Sequence, residues 1–287
     1  MITVRDLTFT YPGATQETLH GLNFKIAEQE IFGFLGPSGA GKSTTQNILI
    51  GLLPDYGGSL QVLGKEVSAW GQDYYEQLGV SFELPNHYLK LSARENLEHF
   101  RSLYGGQPHA VDEVLAWVDL ADDADKKVEE FSKGMKIRLN VARSLIHKPR
   151  LLFLDEPTSG LDPVNARRIK DLILRVRGQG TTVFITTHNM TVADELCDRV
   201  AFITDGRISE IDTPDALKKR FGRRDVRVIY QNGSQAQAER EFPLDGLGHN
   251  SDFIELLRSA SRVETIHTQE TTLENIFITV TGQELDR

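Results

Sequence analysis

Cysteine is nearly absent from this chain: of 287 residues only Cys197 is one. A single thiol excludes an internal disulfide and fits a reducing compartment, with core packing as its expected role. Long hydrophobic runs are missing too. No stretch approaches the ~18 to 20 uncharged apolar residues that span a bilayer, and Met1-Ile2-Thr3-Val4-Arg5-Asp6 has no signal-peptide core, so the expected location is cytoplasmic. Excess positive charge is lacking as well. A formal net charge of -9 argues against broad nucleic-acid binding through a basic surface. Low-complexity tracts and repeats at solenoid period are likewise absent.

What is present is an ordinary globular composition, 39% hydrophobic and 25% charged, in a chain long enough for one large domain with an appendage. Its organising stretch is Gly36-Pro37-Ser38-Gly39-Ala40-Gly41-Lys42-Ser43-Thr44, which meets the phosphate-loop pattern G-x-x-x-x-G-K-[ST] at every fixed position. Before it, Ile31-Phe32-Gly33-Phe34-Leu35 reads as a buried strand. After it, Ser43 to Leu53 reads as a helix. Backbone N–H groups converge on a polyphosphate only where side chains leave room, which accounts for Gly36, Gly39 and Gly41. Lys42 supplies a point charge, Ser43 a hydroxyl for Mg²⁺, and the helix its positive N-terminal end.

Ile2 to Tyr11 and Gly21 to Ala27 alternate as strands, leaving Tyr11 before the Pro12-Gly13 turn, where its ring can stack on a base. Ser59 to Leu63 and Leu78 to Phe82 continue the strand signals. From about residue 84 to 147 helix signals replace them, beginning at the capping box Ser92-Ala93-Arg94-Glu95 and continuing with the stripe Val111, Val114, Leu115, Val118. This predicts a helical subdomain inserted in an α/β core. Ser132 N-caps the next helix, and with Gly134 would let a phosphate approach its N-terminus.

Arg150-Leu151-Leu152-Phe153-Leu154-Asp155-Glu156 is a buried strand ending in two acids, a costly arrangement unless the acids do chemistry. Asp155 can hold Mg²⁺ through a water, and Glu156 can deprotonate a water in line with a γ-phosphate. Asp162-Pro163 opens a helix to Arg177. Thr182 to Thr187 is another buried strand, and His188 just past it can reach the γ-phosphate or the attacking water. Asp205-Gly206 marks a hairpin. Val226 to Tyr230 reads as a strand and Ser251 to Ala260 as a helix, which predicts a small α+β appendage.

Together these pieces resemble the nucleotide-binding domain of ABC transporters. The resemblance covers Met1 to about Lys219, implying a domain over about 1–220, with its helical part at 84–147, and an extension over 221–287. Gly36 to Thr44 resembles Walker A, Leu151 to Glu156 Walker B with the catalytic glutamate, Ser159-Gly160-Leu161-Asp162 the D-loop, and His188 the switch histidine. Two departures stand out. The signature loop, usually L-S-G-G-Q, is Phe131-Ser132-Lys133-Gly134-Met135, keeping the serine and second glycine. At the Q-loop glutamine stands Glu83, whose carboxylate could accept from a metal-bound water while adding negative charge.

The resemblance implies an ATPase working with ATP and Mg²⁺ as a head-to-tail pair, in which Ser132, Gly134 and Asp162 of one subunit close over the nucleotide of the other. A multi-span permease on a separate chain would be its partner, meeting Leu84 to Leu91 and holding the subunit at the cytoplasmic face of the membrane; no nucleic acid is implied. The stretch Glu264 to Gly282 resembles the end of daunorubicin-resistance-type subunits, which implies export of drugs, antibiotics or lipids. The alternative is a soluble ABC ATPase of DNA repair or translation, whose long coiled coils or paired nucleotide domains this sequence does not contain.

Overall fold

Two antiparallel strands open the chain, β1 (Ile2–Phe9) and β2 (Leu19–Ile26), with Ile2 opposite Ile26 and Phe9 opposite Leu19. Alternation buries Ile2 and Val4, then loses phase. Asp6, at φ +48°, sits in a bulge that returns Leu7 and Phe9 to the buried face. The computed structural model describes residues 1–222, 225–232, 237–269 and 271–283.

Next come β3 (Ile31–Leu35), buried at all five positions, and α1 (Lys42–Leu49). This helix stops short of the expected Leu53 because Gly51 takes a left-handed φ of +79° and turns the chain. β4 (Gly57–Val62) pairs with β1, β5 (Lys65–Glu66) with β4, and β6 (Leu78–Ser81) enters a second sheet. Three helices follow: α2 (Ala93–Arg101), α3 (Val111–Trp117) and α4 (Lys133–Leu145). The predicted capping box is made in full. Ser92 Oγ accepts from the Glu95 N–H at 3.1 Å, and the Glu95 carboxylate accepts from the Ser92 N–H at 2.7 Å.

β7 (Leu151–Asp155), α5 (Pro163–Gly178), β8 (Thr182–Thr187), α6 (Met190–Leu196), β9 (Arg199–Thr204) and β10 (Arg207–Asp212) complete the core. The first sheet runs β2-β1-β4-β5, and the second β10-β9-β3-β8-β7-β6. In the second, β9, β3, β8, β7 and β6 are mutually parallel. Their carboxyl ends therefore share one edge, where parallel sheets place their ligands. Phe24 packs against Phe32 and Phe34, both of these against Phe184, and Phe184 against Phe153, with centroids 5.6–6.2 Å apart. Each fully buried ring is worth about 1.5–3 kcal/mol, so this cluster anchors both sheets. Cys197 is buried against Gly33, and burial pushes its thiol up, keeping it a neutral packing group. Arg175 of α5 lies over the Trp117 ring of α3 at 4.8 Å, tying the helical segment to the core.

Backbone contacts divide the chain into units Met1–Pro214 and Asp215–Gln283. The boundary falls at the start of α7 (Pro214–Phe221). The smaller unit holds β11 (Asp225–Gln231), β12 (Ala238–Pro243), α8 (Ser251–Ser259), β13 (Arg262–Gln269) and α9 (Leu273–Thr281). Its antiparallel sheet, ordered β12-β11-β13, builds a core from Val226, Val228, Phe242 and Leu256. The stretch Glu264 to Gly282 thus contains most of β13 and all of α9, while Glu270 and residues 284–287 lie outside the described residues.

Candidate functional site

Gly36 follows β3 directly, and its place is reserved for glycine: a Cβ there would stand 2.1 Å from the Ile203 carbonyl oxygen of β9. Gly39 and Gly41 take φ of +80° and +105°, curling residues 36–44 into a loop that feeds α1. Within it Ala40 is buried and donates its N–H to the Pro37 oxygen at 3.3 Å. Lys42 folds back and donates to the Gly36 and Pro37 oxygens at 2.7 and 2.9 Å.

The parallel register brings the rest. Asp155 pairs with Thr186 across β7 and β8, and the Thr186 hydroxyl donates to its carboxylate. Glu156 takes φ +47°, unusual for a non-glycine residue, and its N–H donates to the Thr186 oxygen. That turn carries the side chain to the end of β8. Oε1 accepts from the His188 N–H at 2.8 Å and from His188 Nδ1 at 2.6 Å, and Oε2 from the Thr187 hydroxyl at 2.8 Å. A buried carboxylate is thereby braced by three donors.

Ser38, Gly39, Gly41, Lys42, Ser43, Thr44, Glu83, Asp155, Glu156 and His188 line one cavity of about 310 Å³. Burial raises the Asp155 pKa. The Thr186 hydrogen bond opposes this, the charges of Glu156 and Glu83 add to it, and Lys42 opposes it again. Three carboxylates converge here, and Ser43 adds a hydroxyl. That hard-oxygen set with surplus negative charge fits a divalent cation that takes its remaining ligands from phosphate and water. No all-protein cluster of three His, Cys, Asp or Glu ligands occurs among the described residues.

Other expected residues lie elsewhere. Tyr11, 39% exposed, donates or accepts with the Thr44 hydroxyl at 3.0 Å and packs edge-on against Phe9. Ser132 is exposed, and its hydroxyl caps α4 by accepting from the Met135 N–H. Beside it a Cβ on Gly134 would lie 3.3 Å from Leu161, and one on Gly160 would lie 3.3 Å from the Lys133 ammonium nitrogen. The signature-like and D-loop-like segments of one chain are therefore neighbours. Asp162 caps α5, accepting from the Val164 and Asn165 N–H groups, and the Asn165 side chain leads the interactions that lower its pKa. Thr186 and Thr187 were not foreseen as site residues. The available signal was two hydroxyls at the end of an otherwise apolar strand, just before His188.

Residues 19–159 match the family described as ABC transporter, and residues 224–270 the family described as fluoroquinolone efflux ABC transporter C-terminal domain. The chain is 55% identical over 285 residues to a fluoroquinolones export ATP-binding protein of Mycobacterium tuberculosis, covering 99% of this chain and 94% of that one. It is 33% identical over 308 residues to a daunorubicin resistance ATP-binding protein of Streptomyces coeruleorubidus, covering 97% of each. Among solved structures, an ATP-binding cassette in a dimeric post-hydrolysis state, bound to ADP and Pi, superposes with a TM-score of 0.68 at 27% identity, over 74% of this chain and 98% of that one.

Proposed function

This chain belongs to the ATP-binding subunits of ABC transporters, and we propose that it powers export of drugs, antibiotics or lipids through a separate membrane permease. It binds and hydrolyses ATP, and such subunits dimerise and work with permeases. No helix among the described residues is long and apolar enough to cross a membrane. The permease would thus hold the subunit at the cytoplasmic membrane face, docked on Leu84 to Leu91. The nucleotide-binding domain would comprise about 1–220, with its helical part at 84–147, and the extension 221–287.

The observation that carries the reading is the braced Glu156 facing the same cavity as Lys42. The loop N–H groups of residues 36–44 and Lys42 would hold the ATP phosphates, and Tyr11 would stack on the base. Mg²⁺, held by Ser43, Asp155 and Glu83, would offset phosphate charge when bound. Glu156 Oε1 already accepts two hydrogen bonds, whereas Oε2 accepts one. A carboxylate oxygen has two lone pairs, so Oε2 would take the proton as water attacks the γ-phosphorus. The bond to the β–γ bridging oxygen breaks, and ADP leaves with those electrons. His188 holds Glu156 in place, while Ser132, Gly134 and Asp162 would complete the partner copy's site.

The test is capture of tagged Glu156→Gln chain with MgATP from detergent-solubilised membranes of its own cell. Co-purification of a multi-span permease is expected. Recovery of only soluble partners, such as ribosomes or DNA-repair factors, overturns the transporter reading.

A further inference from the structure

Asp119 lies just past α3, in a left-handed backbone conformation with φ +57°. Glycine enters that region freely, whereas a residue with a Cβ is held there only by its surroundings. The contacts of this side chain supply the reason. Its Oδ2 accepts from Arg168 Nη1 and lies 3.6 Å from Arg138 Nη1. Arg138 belongs to α4 and Arg168 to α5. Arg138 is buried, and its Nη1 also donates to the Val118 and Asp119 carbonyl oxygens at 2.6 and 2.7 Å. These carbonyls lie at the end of α3, where helical partners run out. Burial lowers the Arg138 pKa; the Asp119 charge is the first to oppose this, Arg168 adds to it, and Asp162 and Asp123 oppose it again.

The two arginines hold matching places. Arg138 stands six residues after Ser132, the cap of α4, and Arg168 six residues after Asp162, the cap of α5. Six residues of helix rise about 9 Å, so one carboxylate ties the two helices at equal distances behind their N-termini. In front of that tie the same two segments are already neighbours, since a Cβ on Gly134 would lie 3.3 Å from Leu161. Contact at the caps alone would serve as a pivot. A second point behind it stops one helix from turning against the other.

We propose that Asp119 is a positioning residue for ATP-driven pairing of two chains: it locks α4 to α5, so that Ser132, Gly134 and Asp162 meet the partner copy's nucleotide as one rigid surface. The role rests on the paired-site reading above. Asp119 does not line the nucleotide cavity of its own chain, so its effect falls on pairing and not on the first binding of ATP. A surface that is already rigid loses less freedom when two copies meet. The ion pair to Arg168 is about half-exposed, 57% at Asp119 and 46% at Arg168, and such pairs are individually weak. The dimer contains the tie twice, so removing it should weaken pairing about fivefold, the equivalent of about 1 kcal/mol.

The test is sedimentation of the full chain carrying Glu156→Gln, at saturating MgATP over a range of protein concentrations, with and without Asp119→Asn. Asparagine keeps the side-chain shape and accepts the left-handed backbone, so the substitution removes the charge alone. The expected result is a dimer dissociation constant about fivefold higher, with the urea midpoint and the ATP affinity of the unpaired chain unchanged. Arg168→Gln should weaken pairing to the same degree, and the two substitutions together should do little more than either, because they break one contact. High salt should weaken pairing more with Asp119 in place than in the Asp119→Asn chain, since screening removes what the substitution already has. Pairing as tight in these variants as in Glu156→Gln alone, or losses that simply add, overturns the inference and spares the paired-site reading. A lowered urea midpoint with unchanged pairing of the folded chain makes Asp119 a structural residue only, and overturns it too. Should Asp119→Asn not fold, Arg168→Gln decides. A Glu156→Gln chain that stays monomeric at saturating MgATP overturns the paired-site reading, and the role of Asp119 with it.

Discussion

The nucleotide cavity and an aromatic cavity of about 470 Å³, lined among others by Leu78, His87, Phe100, Tyr104 and His147, have the adjacent residues Glu83 and Phe82 in their walls and are built on opposite terms. Around the nucleotide cavity the polar groups are engaged within the chain: Lys42 on two carbonyl oxygens, Asp155 on Thr186, Glu156 on Thr187 and His188. Behind the wall of the aromatic cavity the Nδ1 atoms of His87 and His147 are buried without a hydrogen-bond partner among the described residues. A pocket of the first kind suits a strongly charged substrate, because Lys42 exchanges neutral carbonyls for phosphate oxygens and gains from the exchange. A wall of the second kind favours uncharged rings, since burial there disfavours the imidazolium form. Preorganised polar groups serve chemistry in one, and apolar packing shapes the other.

Glu156→Gln should separate them most sharply. Turnover of ATP falls by about 10²–10⁴-fold with loss of the general base, while ATP binding and the histidine signals of the aromatic cavity stay as they were. Size-exclusion at saturating MgATP should show a trapped dimer, and a variant that elutes only as monomer would remove the paired-site reading. Next comes Gly36→Ala, whose Cβ would meet the Ile203 backbone oxygen at 2.1 Å. Backbone cannot step aside, so about 3 kcal/mol should be lost in denaturant unfolding, together with ATP affinity.

Acid strikes the aromatic cavity through His87. The folded pKa of His87 is pulled below its unfolded value to about 4, so between roughly pH 6.5 and 4 the unfolded chain binds a proton that the folded chain refuses. Stability is full above that window and falls as pH drops through it, by about 2 kcal/mol after allowance for partial solvation. Urea midpoints at pH 7 and 4.5 should show the loss in wild type and less of it in His87→Gln. The smallest effect on the isolated chain belongs to Leu84→Asp, at a site 79% exposed. Stability should stay within about 0.5 kcal/mol and ATPase activity should hold, yet permease capture should disappear.

What could be read from the sequence was local. The strand-loop-helix around Lys42, the acid pair closing β7, the Ser92-Glu95 box and the Asp205-Gly206 hairpin each occupy a few adjacent residues whose identities dictate backbone geometry. What could not be read depends on register between distant strands. The brace on Glu156 exists because Asp155 falls opposite Thr186, and no property of residues 150–156 announces it. The Asp6 bulge, which rescues a broken alternation, requires the pairing with β2 to be seen. β12 was missed because Ala238-Glu239-Arg240-Glu241-Phe242-Pro243 buries only Phe242. The aromatic cavity collects residues from Tyr75 to His147, and although the helices of that span are legible one by one, the packing that brings them together is not.

The cation contact between Arg175 and Trp117 makes the chain its own optical gauge. There are only two tryptophans, and neither lines the nucleotide cavity. Trp70 sits under Lys65 beside the first sheet, whereas Trp117 rides on the helical segment with its face against a guanidinium of α5. Direct contact of a nucleotide in that cavity is therefore dark to tryptophan emission, but a rotation of the helical segment against α5 is not. Emission from Trp117, with Trp70 replaced by Phe, would record that movement in real time without an attached dye.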